Sequence, residues 1–326
     1  RSRSMQVIHD AWNSTDLPRD GVVTIGNYDG LHRGQQAIVD RVVERARGTE
    51  SPAVVVSFDP HPLEVLDRRE APERLVTDEQ KEALLARSGV DALLVIRFDE
   101  EFASRSAEEF VRGFLVERLQ VREVLVGASF RFGHGREGDV DLLQEMSEEL
   151  GFRVEGLEEE TYRGVPISST RIRGAVEEGR VEEAMEMLDR PYELVGLVVR
   201  GDRMGKRLGW PTVNIEPENE LVPAEGVYAT RIRFSGLEAT FDGVTNIGTR
   251  PTVYENYERV VETHVLDFGS DVYDQAVELG FFKRLREEKL FPTIMDLSAQ
   301  IRRDVDATRE FFSHRRKLEE LEAESV

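Results

Sequence analysis

The apolar pattern of this chain changes once, near Pro191, and that change constrains the fold more than any other feature. Before it, short β-branched runs alternate with stretches of helical periodicity. Strand patterns lie at 22–25, 53–58, 92–98 and 123–126, and helical patterns at 35–47, 78–87, 107–119, 168–178 and 181–188. Short buried strands separated by amphipathic helices predict a parallel sheet with crossover helices. After Pro191, short strand patterns at 193–199, 226–234, 238–246 and 260–268 follow one another between Gly, Pro, Asn and Asp residues. Helical periodicity returns only after Pro292, where 295–322 reads as one long charged helix. Strands at that spacing predict a small antiparallel barrel. The boundary is expected near 189–191, with no internal repeat and no low-complexity linker.

Composition narrows the function. At 326 residues the chain is long enough for two domains. No run reaches the roughly 18 to 20 apolar residues of a membrane span, and the stretch ahead of Met5 lacks the apolar core of a secretory leader. The absence of cysteine excludes disulfides, thiolate zinc sites and a cysteine nucleophile. Sixty-four acidic residues against 43 basic ones give a net charge of −21. Such a surface repels phosphate backbones, which excludes nucleic-acid binding through a broad basic face. Only Lys81, Lys206, Lys283, Lys289 and Lys317 are lysines. A high-salt cytosol would favour that surface, and an ordinary acidic protein would also carry it. The expectation is a cytoplasmic enzyme acting on small molecules, with neither nucleic-acid nor membrane partners.

The first strand runs into Gly26-Asn27-Tyr28-Asp29-Gly30-Leu31-His32-Arg33-Gly34-Gln35 and then into a helix. Glycines at a strand-to-helix turn let backbone N–H groups approach a phosphate, and the helix start favours negative charge. A histidine within the turn can donate a hydrogen bond to a phosphoryl oxygen as charge builds. By spacing alone, a tight βα turn with a solvated histidine accounts for the pattern equally well. The stretch nevertheless resembles the nucleotide-binding turn of the nucleotidylyltransferase superfamily in its bacterial FAD synthetase form, G-x-F-D-G-x-H-x-G-H. Ser57-Phe58-Asp59-Pro60-His61-Pro62, Val126-Gly127-Ala128-Ser129-Phe130-Arg131-Phe132-Gly133 and Ile167-Ser168-Ser169-Thr170-Arg171-Ile172-Arg173 follow in that family's order and spacing.

The resemblance implies that the FMN phosphate attacks the α-phosphorus of ATP and pyrophosphate leaves. It implies nucleotide binding by Gly26, Asp29, Gly30 and Gln35, stabilisation of the α-phosphate by His32, and a hold on the β- and γ-phosphates by Ser169, Thr170 and Arg171. Ser129 and Phe130 would contact the flavin. Gln35 stands where the family has a second histidine, and Ser129 where it has Asp or Asn. Gln35 forms hydrogen bonds but carries no charge, and Ser129 is shorter. Tyr28 replaces the usual phenylalanine, a change expected to be harmless. Gly133-His134-Gly135-Arg136-Glu137-Gly138 satisfies the dinucleotide pattern G-x-G-x-x-G, but follows the fourth strand at a distance instead of opening the first βα unit. It reads as a glycine-rich loop near the flavin.

In the second half, Arg200-Gly201-Asp202-Arg203-Met204-Gly205-Lys206-Arg207-Leu208-Gly209-Trp210-Pro211-Thr212-Val213-Asn214 is the densest motif. It is not a Walker A loop, because Arg207 follows the lysine where Ser or Thr is required. Three glycines with basic residues among them still suit phosphates. Thr212 and Asn214, two apart on an extended stretch, project to one face and would share a Mg²⁺ ion through oxygen. A glycine-rich hairpin with ordinary polar strand residues is the alternative. The motif is similar to the G-x-P-T-x-N segment of riboflavin kinases. Gly226-Val227-Tyr228, Asn246-Ile247-Gly248-Thr249-Arg250-Pro251-Thr252, Glu262-Thr263-His264-Val265-Leu266-Asp267-Phe268 and Phe282-Lys283-Arg284-Leu285-Arg286-Glu287-Glu288 continue the likeness. It implies nucleotide binding by Gly201, Gly205, Lys206, Gly209 and Pro211, metal binding by Thr212 and Asn214, and Glu262 as base for the riboflavin 5′-hydroxyl. His264 reads as structural. Arg286 is expected to contact flavin or, with Lys283 and Arg284, to form a solvated helix face.

Together the segments resemble the bacterial bifunctional riboflavin kinase and FAD synthetase family. The resemblance implies an α/β Rossmann-like nucleotidylyltransferase domain over 5–188, then a six-stranded antiparallel β-barrel with a C-terminal helix over 189–326. Riboflavin, FMN and ATP would be the substrates, Mg²⁺ the cofactor and FAD the final product. The alternatives are a riboflavin kinase with a degenerate first domain and a flavin-binding protein without turnover.

Overall fold

Before the midpoint the expected parallel sheet is present, with more strands than the sequence announces. The computed structural model describes residues 4–201, 209–251 and 257–323, and the chain divides into two units between Thr170 and Arg171. In the first unit the strands are β1 (Gln6–His9), β2 (Val22–Ile25), β3 (Ala53–Asp59), β4 (Ala92–Arg97), β5 (Glu123–Gly127) and β6 (Arg153–Leu157). They pair in parallel in the order β1-β4-β3-β2-β5-β6. The helices are α1 (Arg33–Gly48), α2 (Pro62–Leu66), α3 (Asp78–Arg87), α4 (Glu100–Ala103), α5 (Ala107–Glu109, continuing as a π-helix over Phe110–Arg118) and α6 (Val140–Leu150). A hairpin of β7 (Thr161–Tyr162) and β8 (Val165–Pro166) precedes α7 (Ser169–Glu177).

Both faces of the sheet are covered, so its inner strands β2 to β5 are buried at successive positions. Val22, Val55, Leu93 and Leu125 bury against Val39, Val42, Val43 and Ala46, one stripe of α1. The alternate residues Val23, Val54, Leu94 and Val124 bury against Phe110, Phe114, Leu143 and Met146. From β2 the chain crosses through α1 to β3 on one side, while β5 pairs on the other. That reversal opens a crevice at the carboxyl ends of β2 and β5, where ligands of open α/β sheets bind.

The second unit carries most of α7, then α8 (Val181–Leu188), β9 (Tyr192–Val199), β10 (Val213–Pro217), β11 (Gly226–Phe234), β12 (Thr240–Pro251), β13 (Tyr257–Val265), β14 (Ala276–Arg286) and α9 (Ile294–Ala323). The six strands close an antiparallel barrel in the order β10-β13-β12-β11-β14-β9. Lys283, Arg284 and Arg286 therefore lie on a strand; the helix-face alternative for them is incorrect. Inside the barrel Thr230, Thr245 and Thr263 are fully buried and linked hydroxyl to hydroxyl at 2.7 and 2.8 Å. Thr230 donates to the Gly243 carbonyl at 3.2 Å. Each hydroxyl has one proton, so donation runs from Thr263 to Thr245 to Thr230 to that carbonyl. Outside, Val305 of α9 packs with Val227, Val244 and Leu266, and Phe312 with Ala229 and Phe282. Among the described residues no helix is long and apolar enough to cross a membrane.

Candidate active sites

β2 ends at Ile25 and the chain turns through 26–31 into α1. Tyr28 (φ 50°), Gly30 (φ 88°) and Leu31 (φ 40°) take left-handed backbone, which costs about 1–3 kcal/mol at a non-glycine position. The surroundings hold the turn. The Tyr28 ring is buried, with its hydroxyl 2.5 Å from Thr24 Oγ1 of β2. Burial pushes this phenol well above its ordinary pKa, and the Thr24 contact only partly offsets it. Tyr28 is thus accommodated by a partner and does more than stand in for phenylalanine. The Asp29 carboxylate accepts the Leu75 N–H at 2.9 Å, and its carbonyl accepts the Ser169 hydroxyl at 2.8 Å. Ser57 donates to the Asn27 carbonyl at 3.2 Å, and the Asn27 carboxamide lies 3.0 Å from His61 Nε2. Beside it, Arg74 reaches Asp59 and Glu64, each at 3.1 Å. Burial opposes the charge of Arg74, but Glu64, Asp78 and Asp59 raise its pKa all the same.

His32 is the N-cap of α1 and is nearly buried. Its Nδ1 accepts the Gln35 N–H at 3.4 Å, and Gln35 Oε1 accepts the His32 N–H at 3.2 Å. Gly34 lies beside the ring: a Cβ there would be 3.4 Å from it, an ordinary contact, so space alone does not require glycine. Gly26 leaves room for the Tyr28 ring, 3.2 Å from its would-be Cβ, and its N–H is engaged with Val56 in the sheet. Ser169 and Thr170 begin α7, and the Ser169 bond to Asp29 brings that helix start to the turn that opens α1. Two helix starts at one turn concentrate backbone N–H donors and positive dipole ends, the arrangement that suits a phosphate chain. Arg171 belongs to the second unit, with a guanidinium nitrogen 3.6 Å from Glu183.

At the end of β5, Ser129 is exposed, and the half-buried Phe130 stacks on Phe132 at 5.4 Å. The following glycines serve packing: would-be Cβ atoms at Gly133 and Gly138 meet Ala107 at 2.6 and 2.8 Å. Phe132 and Gly138 close the loop by mutual backbone hydrogen bonds.

In the barrel, one row of facing residues crosses neighbouring strands. Asn214 of β10 faces Glu262 of β13, Glu262 faces Asn246 of β12, Asn246 faces Val227 of β11, and Val227 faces Arg286 of β14. Directly opposed residues share a face. Because Val261, Thr263 and Val265 are buried while Glu262 and His264 are half-buried, this row lies on the outer face. Asn214 is itself buried, with the Gly201 backbone directly against its carboxamide. The half-buried Thr212 precedes it by two residues. His264 fixes the approach: its Nδ1 lies 2.8 Å from the carbonyl of the exposed Pro211, and its ring meets Trp210 edge-on at 5.3 Å. Gly209 turns the chain with φ 80°. Gly205 and Lys206 lie outside the described residues.

Arg286 grips Asp304 of α9 with Nε at 3.1 and 3.2 Å and Nη2 at 2.9 Å. Its strand, β14, stands three places from β13 in either direction around the closed six-stranded barrel, so Arg286 and Glu262 lie on opposite sides of it. Sequence reasoning gave no role to Asn246, whose place beside Glu262 follows only from strand register. It also missed the pairing of Gln35 with His32, although an acceptor three residues after an N-cap is a recognisable pattern.

Comparison with known proteins agrees with both halves. The FAD synthetase family model matches residues 14–171 and the riboflavin kinase family model residues 188–312. The bifunctional riboflavin kinase/FMN adenylyltransferase of Escherichia coli K12 is 40% identical over 94% of this chain and 98% of its own. That of Pseudomonas fluorescens is 38% identical over 94% and 97%. A crystal structure of a macrolide-efflux protein from Streptococcus pneumoniae aligns with a TM-score of 0.85 at 26% identity, over 94% of this chain and 99% of the other. The chain belongs to the family of bifunctional riboflavin kinase/FMN adenylyltransferases.

Proposed function

We propose that the barrel unit transfers the γ-phosphoryl group of ATP to the 5′-hydroxyl of riboflavin, and that the first unit joins the resulting FMN to AMP from a second ATP. The outer row of Asn214, Glu262 and Asn246 supports the first step most directly. It sets a carboxylate beside a buried carboxamide under a glycine backbone, the combination needed to accept a hydroxyl proton next to bound phosphates. As the hydroxyl oxygen bonds to phosphorus, the β–γ bridging bond breaks and ADP leaves, with Glu262 taking the proton. Thr212 and Asn214 supply neutral oxygen donors, which fit a Mg²⁺ ion held mainly by nucleotide phosphates. Bound there, the ion would neutralise developing phosphate charge. Gly201, Gly209 and Pro211 shape the backbone that carries these donors.

In the second step a phosphate oxygen of FMN attacks the α-phosphorus and pyrophosphate departs. The nucleophile is already anionic, so positioning and charge stabilisation dominate. His32 donates to an α-phosphoryl oxygen, while the starts of α1 and α7 hold the phosphates through backbone N–H groups. Asp29 and Gly30 keep the turn in shape, and Ser129 and Phe130 border the flavin. Both steps consume ATP, which favours a cytoplasmic enzyme.

Incubation with riboflavin, ATP and Mg²⁺, followed by chromatography, tests the reading. FMN should appear first and FAD after it. FMN alone would show a first unit without turnover, and no product at low or molar salt would overturn the enzyme assignment.

A further inference from the structure

We propose that Gln35 is a positioning residue that fixes the tautomer in which His32 meets the nucleotide. The proposal deepens the adenylylation reading and rests on it. Helix N-caps are ordinarily oxygen acceptors from Ser, Thr, Asp or Asn. An imidazole fills that place only through a ring nitrogen that carries no proton. Here Nδ1 accepts the Gln35 N–H at 3.4 Å while Gln35 Oε1 accepts the His32 N–H at 3.2 Å, a reciprocal box closed by side chains at both ends. With Nδ1 engaged as acceptor, a neutral ring carries its proton on Nε2. The ring lies beside Gly34, where a Cβ would be in ordinary contact, at 3.4 Å, with Nδ1 and Cε1. Turning the ring over would present carbon to the Gln35 N–H and lose the cap.

His32 thus meets the site as an Nε2–H donor, the form required by a phosphoryl oxygen that gains charge in the transition state. A neutral imidazole suffices for that task. Position 35, where the resemblance expects a second histidine, contributes a hydrogen-bond acceptor instead of a charge. The carboxamide oxygen holds the N-cap backbone, and the backbone holds the ring.

The test uses the full chain with ¹⁵N-labelled histidine, His32 being assigned by comparison with His32→Asn. Wild-type His32 should show a protonated Nε2 and an acceptor Nδ1. Gln35→Leu, which removes the oxygen, should give mixed tautomers and lower kcat for FAD formation from FMN and ATP at least about tenfold, with little change in the KM for ATP. Gln35→Glu restores an acceptor, so the wild-type tautomer should return, with a higher KM for ATP from the added negative charge. An Nδ1–H tautomer in the wild type, or an unchanged spectrum in Gln35→Leu, would overturn the proposal. A wild type that shows the Nε2–H spectrum but makes no FAD would instead overturn the adenylylation reading, leaving the positioning of His32 standing.

Discussion

Replacing Gly201 by alanine should disable riboflavin phosphorylation and spare FAD formation. An alanine Cβ at this position would overlap the Asn214 carboxamide: Nδ2 is its nearest atom, and even Oδ1, at 2.6 Å, falls 0.8 Å short of an ordinary 3.4 Å contact, so the side chain must move by at least that much. Gly201 has no left-handed φ, so the backbone accepts alanine and the conflict falls on one side chain. Asn214 is buried and cannot swing into solvent without leaving the row it shares with Glu262. Overpacking of this kind costs about 1–3 kcal/mol of stability. The larger effect is on rate, because a misplacement approaching 1 Å in a positioning group costs on the order of 10²-fold. The assay follows FMN from riboflavin and FAD from supplied FMN in the same preparation, beside a thermal melt. The phosphorylation kcat/KM should fall about 100-fold while FAD formation holds. The double variant with Asn214→Ala should be no worse than Asn214→Ala alone, since the added methyl acts through that side chain. A kinase rate equal to wild type in the folded Gly201→Ala protein would refute a role for Asn214 in the reaction.

Other perturbations separate packing from chemistry. Asp304→Ala leaves Arg286 largely buried without its partner, the two side chains being 6% and 15% exposed; unfolding by denaturant should show a loss of about 3–5 kcal/mol, and a neutral result would free Arg286 for ligand contact. Gly133→Ala, with φ 76° and Ala107 N at 2.6 Å from its Cβ, should lower the melting temperature more than Gly135→Ala, which has φ 60° and nothing within 4 Å. Equal effects would mean that backbone strain, and not packing, keeps glycine in that loop. Asp20 and Asp267 are held below the ordinary 3.8 by hydrogen bonds from Arg122 and Arg309, and Asp139 by the Leu142 N–H. Their stabilisation is complete above that value and is lost as pH falls through the lowered pKa values. Melts across that range should show a modest decline, weakened by salt because Asp20 and Asp267 are exposed and Asp139 is half-buried.

The two-part pattern, the site turn and the long final helix were legible because each rests on local rules. The elements that escaped notice depend on partners. β14 is the clearest case: it closes the barrel between β9 and β11, with register shifts at Val227/Tyr228 and Ala229/Thr230. Those irregularities, with the run Gly280-Phe281-Phe282, break the period of two and leave a stretch that reads as helical. β1 has four residues and β10 has five, too few for periodicity to speak. α6 is a different case, because its ends are readable in the sequence, Asp139 as N-cap and left-handed Gly151 as stop. In the sites, residue types were legible and register was not. Nothing in the order of letters places Asn246 beside Glu262, and nothing there shows that the Ser169 hydroxyl reaches the Asp29 carbonyl.

The threonine chain inside the barrel sets a condition on evolution as well as on stability. Thr263 lies between Glu262 and His264, and Thr245 beside Asn246, so inner hydroxyls and outer reacting groups alternate on the same strands. A slip of one residue between β12 and β13 would turn the hydroxyls toward solvent and bury the carboxylate. The directional chain ending at the Gly243 carbonyl tolerates no such exchange, since each hydroxyl would lose its buried partner. Inserting or deleting a single residue in either strand is therefore closed to this lineage as a way to vary substrate. Variation in chemistry has to come from the loops between strands.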